Sequence, residues 1–297
     1  MTAQTVFRVR GGHLRKLVLD TASIVADIES GCCEESQACL ARARRADSIM
    51  RTQNMVLGGF LLLSILLKVI FTGRSFDTVW PKPPGEWGEL SVGLLQLGSA
   101  MFGTSTYYIM CALVGCLGIW IAGMYRALAV QFKAARSKDE IMGLVKLHQR
   151  LQKHARATEV LFADVLMHLF LCCFVCPLTS TIDVLLGEIT AMTFSSAPLI
   201  VSVFLPFSHI SQELIDSSTA IGSAAFWAAF ESDQRQTQED LFVRRALLLT
   251  IVSSRRPAQL SCRGLGPLSL GAAANALRTW YSLVNMVIGS GRNIKVH

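Results

Sequence analysis

The stretch VGLLQLGSAMFGTSTYYIMCALVGCLGIWIAGMY, residues 92–125, contains no lysine, arginine, aspartate or glutamate. A helix of about 20 apolar residues already crosses the ~30 Å hydrocarbon core of a bilayer. This run therefore predicts a membrane-spanning helix that tilts or continues beyond the membrane. The composition agrees, because 52% of the 297 residues are hydrophobic and only 16% are charged, whereas about a quarter of a soluble domain is charged.

Four further apolar runs lie on either side of this stretch. The five predicted spans cover about 55–73, 92–125, 160–186, 191–208 and 266–288. They predict an all-α, polytopic helical membrane protein with one transmembrane domain over residues 1–290. The first twenty residues hold no apolar segment followed by a cleavage site, so we expect no signal peptide.

The basic residues alternate between the segments that join these spans. Residues 1–53 hold eight Lys or Arg, 74–90 two, 126–158 eight, 187–190 none, 209–265 six and the tail two. The positive-inside rule then places the N-terminus in the cytoplasm and the C-terminus outside. This orientation is inverted relative to a G-protein-coupled receptor. The net charge of +7 is explained as loop charge, and no nucleic-acid partner is expected.

Two cytoplasmic segments, about 126–158 and 209–260, predict an anchor region made of amphipathic helices. The helix predicted over 237–253 places five apolar residues near one face: Leu241, Phe242, Ala246, Leu249 and Val252. That face needs a partner, which could be the membrane surface, the helix at 138–156 or another subunit. Packing among the cytoplasmic helices is the favoured interpretation, since three of them converge there.

The ionisable residues do not form a recognisable catalytic or metal motif. Asp164 and His168 are spaced i, i+4 near the cytoplasmic end of a span, where they could pair with each other or with a basic residue of the anchor region. His148 and His154 lie on a polar helix, and we expect both to be solvated. We expect no enzyme, no cofactor and no metal site, with an intramembrane enzyme as the alternative from another class.

The C-terminal part of the chain resembles the signature of insect odorant receptors. It reads QELIDSSTAIGSAAFWAAF (212–230) and LFVRRALLLTIVSSRRPAQLSCRGLGPLSL (241–270). The positions that match are Leu247, Leu248, Leu249, Ile251, Pro257, Leu260, Gly264, Leu268 and Ser269. The chain departs from the family at Phe226 and Phe230, where a tyrosine and a tryptophan are usual. It also has five predicted spans where the family has seven, so the first two spans are expected to be missing from a truncated chain or fragment.

This resemblance implies a subunit of an odorant-gated, non-selective cation channel in the plasma membrane of olfactory neurons. Such subunits bind a small volatile odorant and form heterotetramers with a shared olfactory co-receptor, surrounded by membrane lipid. The short 126–158 segment implies the ligand-specific subunit. The alternatives are a gustatory-receptor-like channel subunit, whose usual Thr-Tyr and Gln-Phe pairs are absent around Thr279-Trp280-Tyr281, and a non-functional five-span fragment.

Three sets of candidate residues follow. An apolar odorant pocket in the outer half of the bundle is predicted at Leu62, Ile65, Phe102, Thr106, Tyr107, Phe194 and Leu199, where Thr106 and Tyr107 could each provide one hydrogen bond. The register of the family implies pore positions at Arg278, Leu283, Met286 and Ser290, with ordinary lipid-facing positions as the alternative. The resemblance also implies a subunit interface at Leu241, Phe242, Leu249 and Val252.

Overall fold

The computed structural model describes residues 3–31, 33–72, 85–186, 200–233 and 240–294. Its elements, in chain order, are α1 (Ala3–Ser30), α2 (Glu34–Thr72), α3 (Gly85–Ala134), α4 (Lys138–Leu186), a π-helical turn (Ile200–Phe204), α5 (Leu205–Asp233), α6 (Asp240–Ser254), β1 (Ser261–Cys262), β2 (Gly266–Pro267) and α7 (Leu270–Ile294). The predicted all-α class is confirmed, and the two short strands form one antiparallel hairpin.

Within the described part of the chain, two helices are long and apolar enough to cross a membrane, over Ser91–Ala134 and Lys138–Ile182. They belong to α3 and α4, whose apolar runs were predicted as separate spans. At 1.5 Å per residue each is roughly 66 Å long, about twice the hydrocarbon thickness. Each helix therefore continues beyond the membrane without a break, and residues 138–158 are the polar extension of the same helix that carries the apolar run 160–186.

A capping box separates these two long helices. The backbone N–H of Glu140 donates to Ser137 Oγ at 3.2 Å, and the N–H groups of Ser137 and Arg136 donate to Glu140 Oε2. This exchange satisfies backbone donors that the start of a helix leaves without partners. It explains why α4 starts at Lys138.

The last predicted span begins later than expected. Residues 266–267 form β2 rather than helix, and α7 starts at Leu270. The cause is the backbone of Gly264 and Gly266, which have φ angles of +80° and +87° and so favour a tight turn over helix. The predicted fourth span, 191–208, falls partly outside the described residues; its described part is the π-helical turn and the start of α5.

The core lies where α3 packs against α2 and α5. Small residues allow the close approach to α2: a Cβ placed on Gly123 would lie 2.5 Å from the Ala43 Cβ. Farther along α3, the side chains of Tyr125 and Phe132 are almost fully buried. Helix α1 packs on α3 and α4, and α6 packs on α5 and α4. This arrangement leaves α7 in contact with α4 and α5 by one face.

Candidate functional site

Four aromatic side chains from α4, the π-helical turn and α5 form what we call the aromatic cluster: Phe170, Phe174, Phe204 and Phe207. The ring of Phe204 meets those of Phe170 and Phe174 edge-on, with centroids 5.1 and 4.7 Å apart. Such edge-to-face pairs are favourable beyond the area that they bury. The cluster lies midway along the apolar run of α4, so it is positioned within the membrane part of the bundle.

A polar group beside this cluster is the Tyr107 hydroxyl. Its oxygen lies 3.7 Å from the Sγ of Cys173, a fully buried thiol one residue before Phe174. A thiol is a weak hydrogen-bonding partner. An apolar surrounding with one weakly engaged hydroxyl is the kind of environment that orients a small, mostly apolar ligand.

The other predicted pocket residues are less clearly brought together at this site. The hydroxyl of Thr106 donates to the Phe102 carbonyl at 2.8 Å. Its hydrogen is therefore used in a bond to the backbone of α3. The side chain of Phe102 is 57% exposed, and Leu62 on α2 is half-buried. The Ile65 side chain lies outside the described part of the chain, and so do residues Phe194 and Leu199.

Sequence reasoning missed the contribution of α4 and the start of α5. Phe170 and Phe174 are spaced i, i+4 and share one helix face, which was the signal available in the sequence. Phe204 had no such signal, because its position depends on the π-helical turn Ile200–Phe204. Single π-helical turns shift the register of a helix and often occur at functional sites.

The contact between α4 and α7 includes a hydrogen bond one turn before Pro177. Proline within α4 removes a backbone donor and disturbs the hydrogen-bond ladder of the preceding turn. In that turn, the Phe174 carbonyl accepts a hydrogen bond from the indole Nε1–H of Trp280 at 3.3 Å. The aromatic cluster is therefore linked directly to α7, the helix that carries the predicted pore residues.

The predicted pore residues lie away from this contact. Leu283 and Met286 are 42% and 63% exposed, and Arg278 is also exposed. The Ser290 side chain lies outside the described part of the chain. The opposite face of α7 packs inward through Ala273, Leu277 and Trp280. Arg278, Leu283 and Met286 therefore lie on the exposed face of the described part of α7.

The β1–β2 hairpin connects α6 to α7 and is fixed to two helices. Ser211 Oγ on α5 donates to the Leu268 carbonyl at 2.7 Å and accepts from the N–H of Leu260. The N–H of Arg263 donates to the Ala163 carbonyl of α4 at 3.2 Å. These bonds hold the start of α7 in a defined position relative to α4 and α5.

The face of α6 predicted as an interface is exposed. Leu241, Phe242, Leu249 and Val252 are between 56% and 65% accessible, whereas Val243 and Leu247 are buried. Helix α6 therefore packs on its neighbours by the opposite side. The helix at 138–156, one of the three candidate partners, does not cover the predicted face.

The expectation that His148 and His154 are solvated is wrong. Both side chains are buried, at 2% and 5% exposure, in the polar extension of α4. The Thr21 hydroxyl donates to the Leu17 carbonyl, so His154 Nε2–H is the donor to Thr21 Oγ1 at 3.0 Å. Burial lowers the pKa of His148 to about 4 and also lowers the pKa of His154. The polar extension of α4 is thus packed inside the helical bundle by α1 and α3.

A scan of protein-family models gave no match to this sequence, and a search of characterised proteins gave none either. The structure is similar to that of the insect olfactory receptor OR5 from Machilis hrabei, with a TM-score of 0.69 at 10% sequence identity. The match covers 96% of this chain and 79% of the receptor. The same receptor in complex with eugenol matches with a TM-score of 0.65 at 12% identity, over 86% of this chain and 71% of that one. The chain therefore has the fold of an insect olfactory receptor.

Proposed function

We propose that this chain is the odorant-binding subunit of a ligand-gated, non-selective cation channel. The observation that carries the proposal is the olfactory-receptor fold, shared over 96% of the chain. One structure of that fold contains eugenol, a small volatile compound. The proposed activity is binding and gating, without a catalytic step. Its proposed location is the plasma membrane, with the N-terminus in the cytoplasm.

The aromatic cluster is the proposed centre of the odorant site. Phe170, Phe174 and Phe204 provide apolar and aromatic walls, and the Tyr107 hydroxyl provides a hydrogen bond that a ligand oxygen can take over from Cys173. This combination favours small ligands with an apolar body and one polar group. The predicted residues Leu62, Ile65, Phe102, Phe194 and Leu199 complete the proposed lining.

The Trp280–Phe174 hydrogen bond provides a direct route from the proposed odorant site to the proposed gate. A ligand that separates Phe174 from its neighbours shifts the carbonyl that Trp280 binds, and α7 moves with it. The ligand favours the open state only to the extent that it binds that state more tightly. The proposed pore face of α7 consists of Arg278, Leu283, Met286 and Ser290.

A partner subunit is part of this proposal. The exposed apolar face of α6 is the proposed contact with the olfactory co-receptor in a heterotetramer. Its residues are Leu241, Phe242, Leu249 and Val252, and several adjacent exposed apolar side chains are typical of protein interfaces. The chain is proposed as the ligand-specific member of the assembly.

Odour-evoked current in cells that co-express this chain with the co-receptor tests the proposal. Tyr107→Phe removes the hydroxyl and keeps the ring, so the half-maximal concentration of an oxygen-bearing odorant should rise roughly twofold to tenfold, the effect of one hydrogen bond. Tyr125→Phe is the matched control, because Tyr125 lies about 27 Å along the same helix. A panel of small volatiles that evokes no current, at normal surface expression, contradicts the proposal.

A further inference from the structure

A cavity of about 690 Å³ lies between α1 and α4, outside the proposed odorant site. We call it the α1–α4 cavity. Its inner wall is apolar and includes Leu17, Ile24 and Leu161, which are buried. Val160, whose side chain is 72% exposed, lies at its edge and is the first residue of the apolar run of α4. The cavity therefore lies where the helix passes from its polar extension into its membrane part.

The rim of this cavity is basic. Lys16, Lys153 and Arg156 line it with exposed side chains, and Asp20 is the one carboxylate among the lining residues. Arg150 also lines it, but its guanidinium is bound to Asp27 at 2.5 Å. The permanent positive charge on the rim thus exceeds the negative charge, and the cavity attracts an anion.

The basic residues lie at a defined depth. Along α4, Arg156 and Lys153 precede Val160 by about 6 and 10 Å, from the 1.5 Å rise of a helix. If the apolar run begins at the hydrocarbon boundary, these two cations lie at the level of the lipid phosphates. Basic pockets between helices on the cytoplasmic side of a membrane protein are typical sites for anionic headgroups.

We propose that the α1–α4 cavity binds an anionic phospholipid of the inner leaflet. Its phosphate contacts Lys16, Lys153 and Arg156, and the start of an acyl chain lies on Val160 and Leu161. A soluble phosphate would use the basic rim but not the apolar wall, and the wall therefore favours a lipid. This inference rests on the membrane placement and orientation proposed above.

A bound lipid would also join α1 to α4. Polar contacts between these two helices include the Arg150–Asp27 pair and the Thr21–His154 hydrogen bond. A ligand that binds only the assembled state stabilises it by mass action. The lipid is therefore expected to raise the thermal stability of the full chain.

Native mass spectrometry of the purified full-length chain tests this inference. The chain is equilibrated in detergent with equal amounts of phosphatidylinositol phosphate, phosphatidylserine and phosphatidylcholine. We expect the anionic lipids to be retained at least fivefold over phosphatidylcholine. In Lys16→Gln/Lys153→Gln this preference should fall roughly tenfold or more, because each basic residue near the headgroups contributes to anionic-lipid binding.

The control is Lys133→Gln/Lys146→Gln, which removes the same charge at two exposed positions of the cytoplasmic bundle that do not line the cavity. Its lipid preference should stay within twofold of the unmodified chain. An equal loss in both double variants overturns the inference, since it shows a general effect of surface charge. Displacement of the lipid by an equal concentration of soluble inositol phosphate also overturns it, because the apolar wall then plays no part.

Two measurements on intact cells separate this inference from the proposed function. Protease accessibility of an N-terminal tag on intact cells reports the orientation alone, and an extracellular tag overturns the inner-leaflet assignment. Odour-evoked current is recorded independently. Selective lipid retention without an odour response supports the lipid site and contradicts the odorant proposal. An odour response without selective lipid retention contradicts only the lipid site.

Discussion

The Arg263 guanidinium lies 3.0 Å from the Asp164 carboxylate and so joins the β1–β2 hairpin to α4. Of the two partners considered for Asp164, His168 and a basic residue of the anchor region, the structure selects the second. The Arg263 side chain is 73% exposed and Asp164 is 15% exposed. Together with the backbone bond from Arg263 to Ala163, this pair holds the connection between α6 and α7 against the helix that carries the aromatic cluster.

Removing this ion pair should cost little stability. Because Arg263 is mostly exposed, solvent screening limits the coupling with Asp164 to about 0.5–1 kcal/mol. A double-mutant cycle of Arg263→Gln and Asp164→Asn, read from unfolding in detergent, measures that coupling. The same cycle with Asp216→Asn, an exposed carboxylate on α5, should show none. Fully additive effects of Arg263→Gln and Asp164→Asn would contradict the contact.

Gly123→Ala should destabilise the contact between α2 and α3. Alanine favours a helix over glycine by about 1 kcal/mol, but its Cβ would lie 2.5 Å from the Ala43 Cβ. Overpacking of this kind typically costs about 1–3 kcal/mol, so a lower unfolding temperature is expected. Ala43→Gly removes the opposing methyl group and should restore stability in the double variant. A single Gly123→Ala variant as stable as the unmodified chain would show that the helices do not approach this closely.

Leu249→Asp should abolish assembly with the co-receptor. The Leu249 side chain is 65% exposed, so the substitution is tolerated in the isolated subunit, while a carboxylate buried in an interface is costly. Co-purification of the two subunits and odour-evoked current are the measurements. Leu265→Asp, the same change at the exposed tip of the hairpin, is the matched control. Normal current and surface expression of Leu249→Asp would refute this assignment of the α6 face.

His148 should make the bundle formed by α1, α3 and the polar extension of α4 sensitive to acid. Burial lowers its pKa in the folded chain to about 4 from 6.5, so the unfolded chain binds a proton first as the pH falls. Stability is therefore lost between about pH 6.5 and pH 4, by up to about 3 kcal/mol. His148→Phe keeps a ring beside Tyr125 and removes the titrating group. The difference between unfolding curves at pH 7.5 and pH 5 should become smaller in this variant, and an unchanged pH dependence would contradict the prediction.

Much of the candidate site could not be read from the sequence. The apolar runs indicated α3 and α4, and Tyr107 was singled out because it lies in the outer half of the predicted bundle and could provide one hydrogen bond. Phe170, Phe174 and Phe204 were not identified, since nothing in a linear pattern indicates which faces of two apolar helices meet. His148 and His154 were misjudged for the same reason, because α1 and α3 bury a helix face that looks polar in isolation.

The sequence by itself determined the helical membrane class, the apolar runs of α3 and α4 and the end of α6 before Pro257. These features depend on apolar length, backbone conformation and local capping, which act within a few residues of the chain. Only the tertiary structure decided that Asp164 pairs with Arg263, that Trp280 binds the Phe174 carbonyl, and that a basic-rimmed cavity forms between α1 and α4. Those contacts join residues about a hundred or more positions apart, and packing of the helices, rather than any local preference, brings them together.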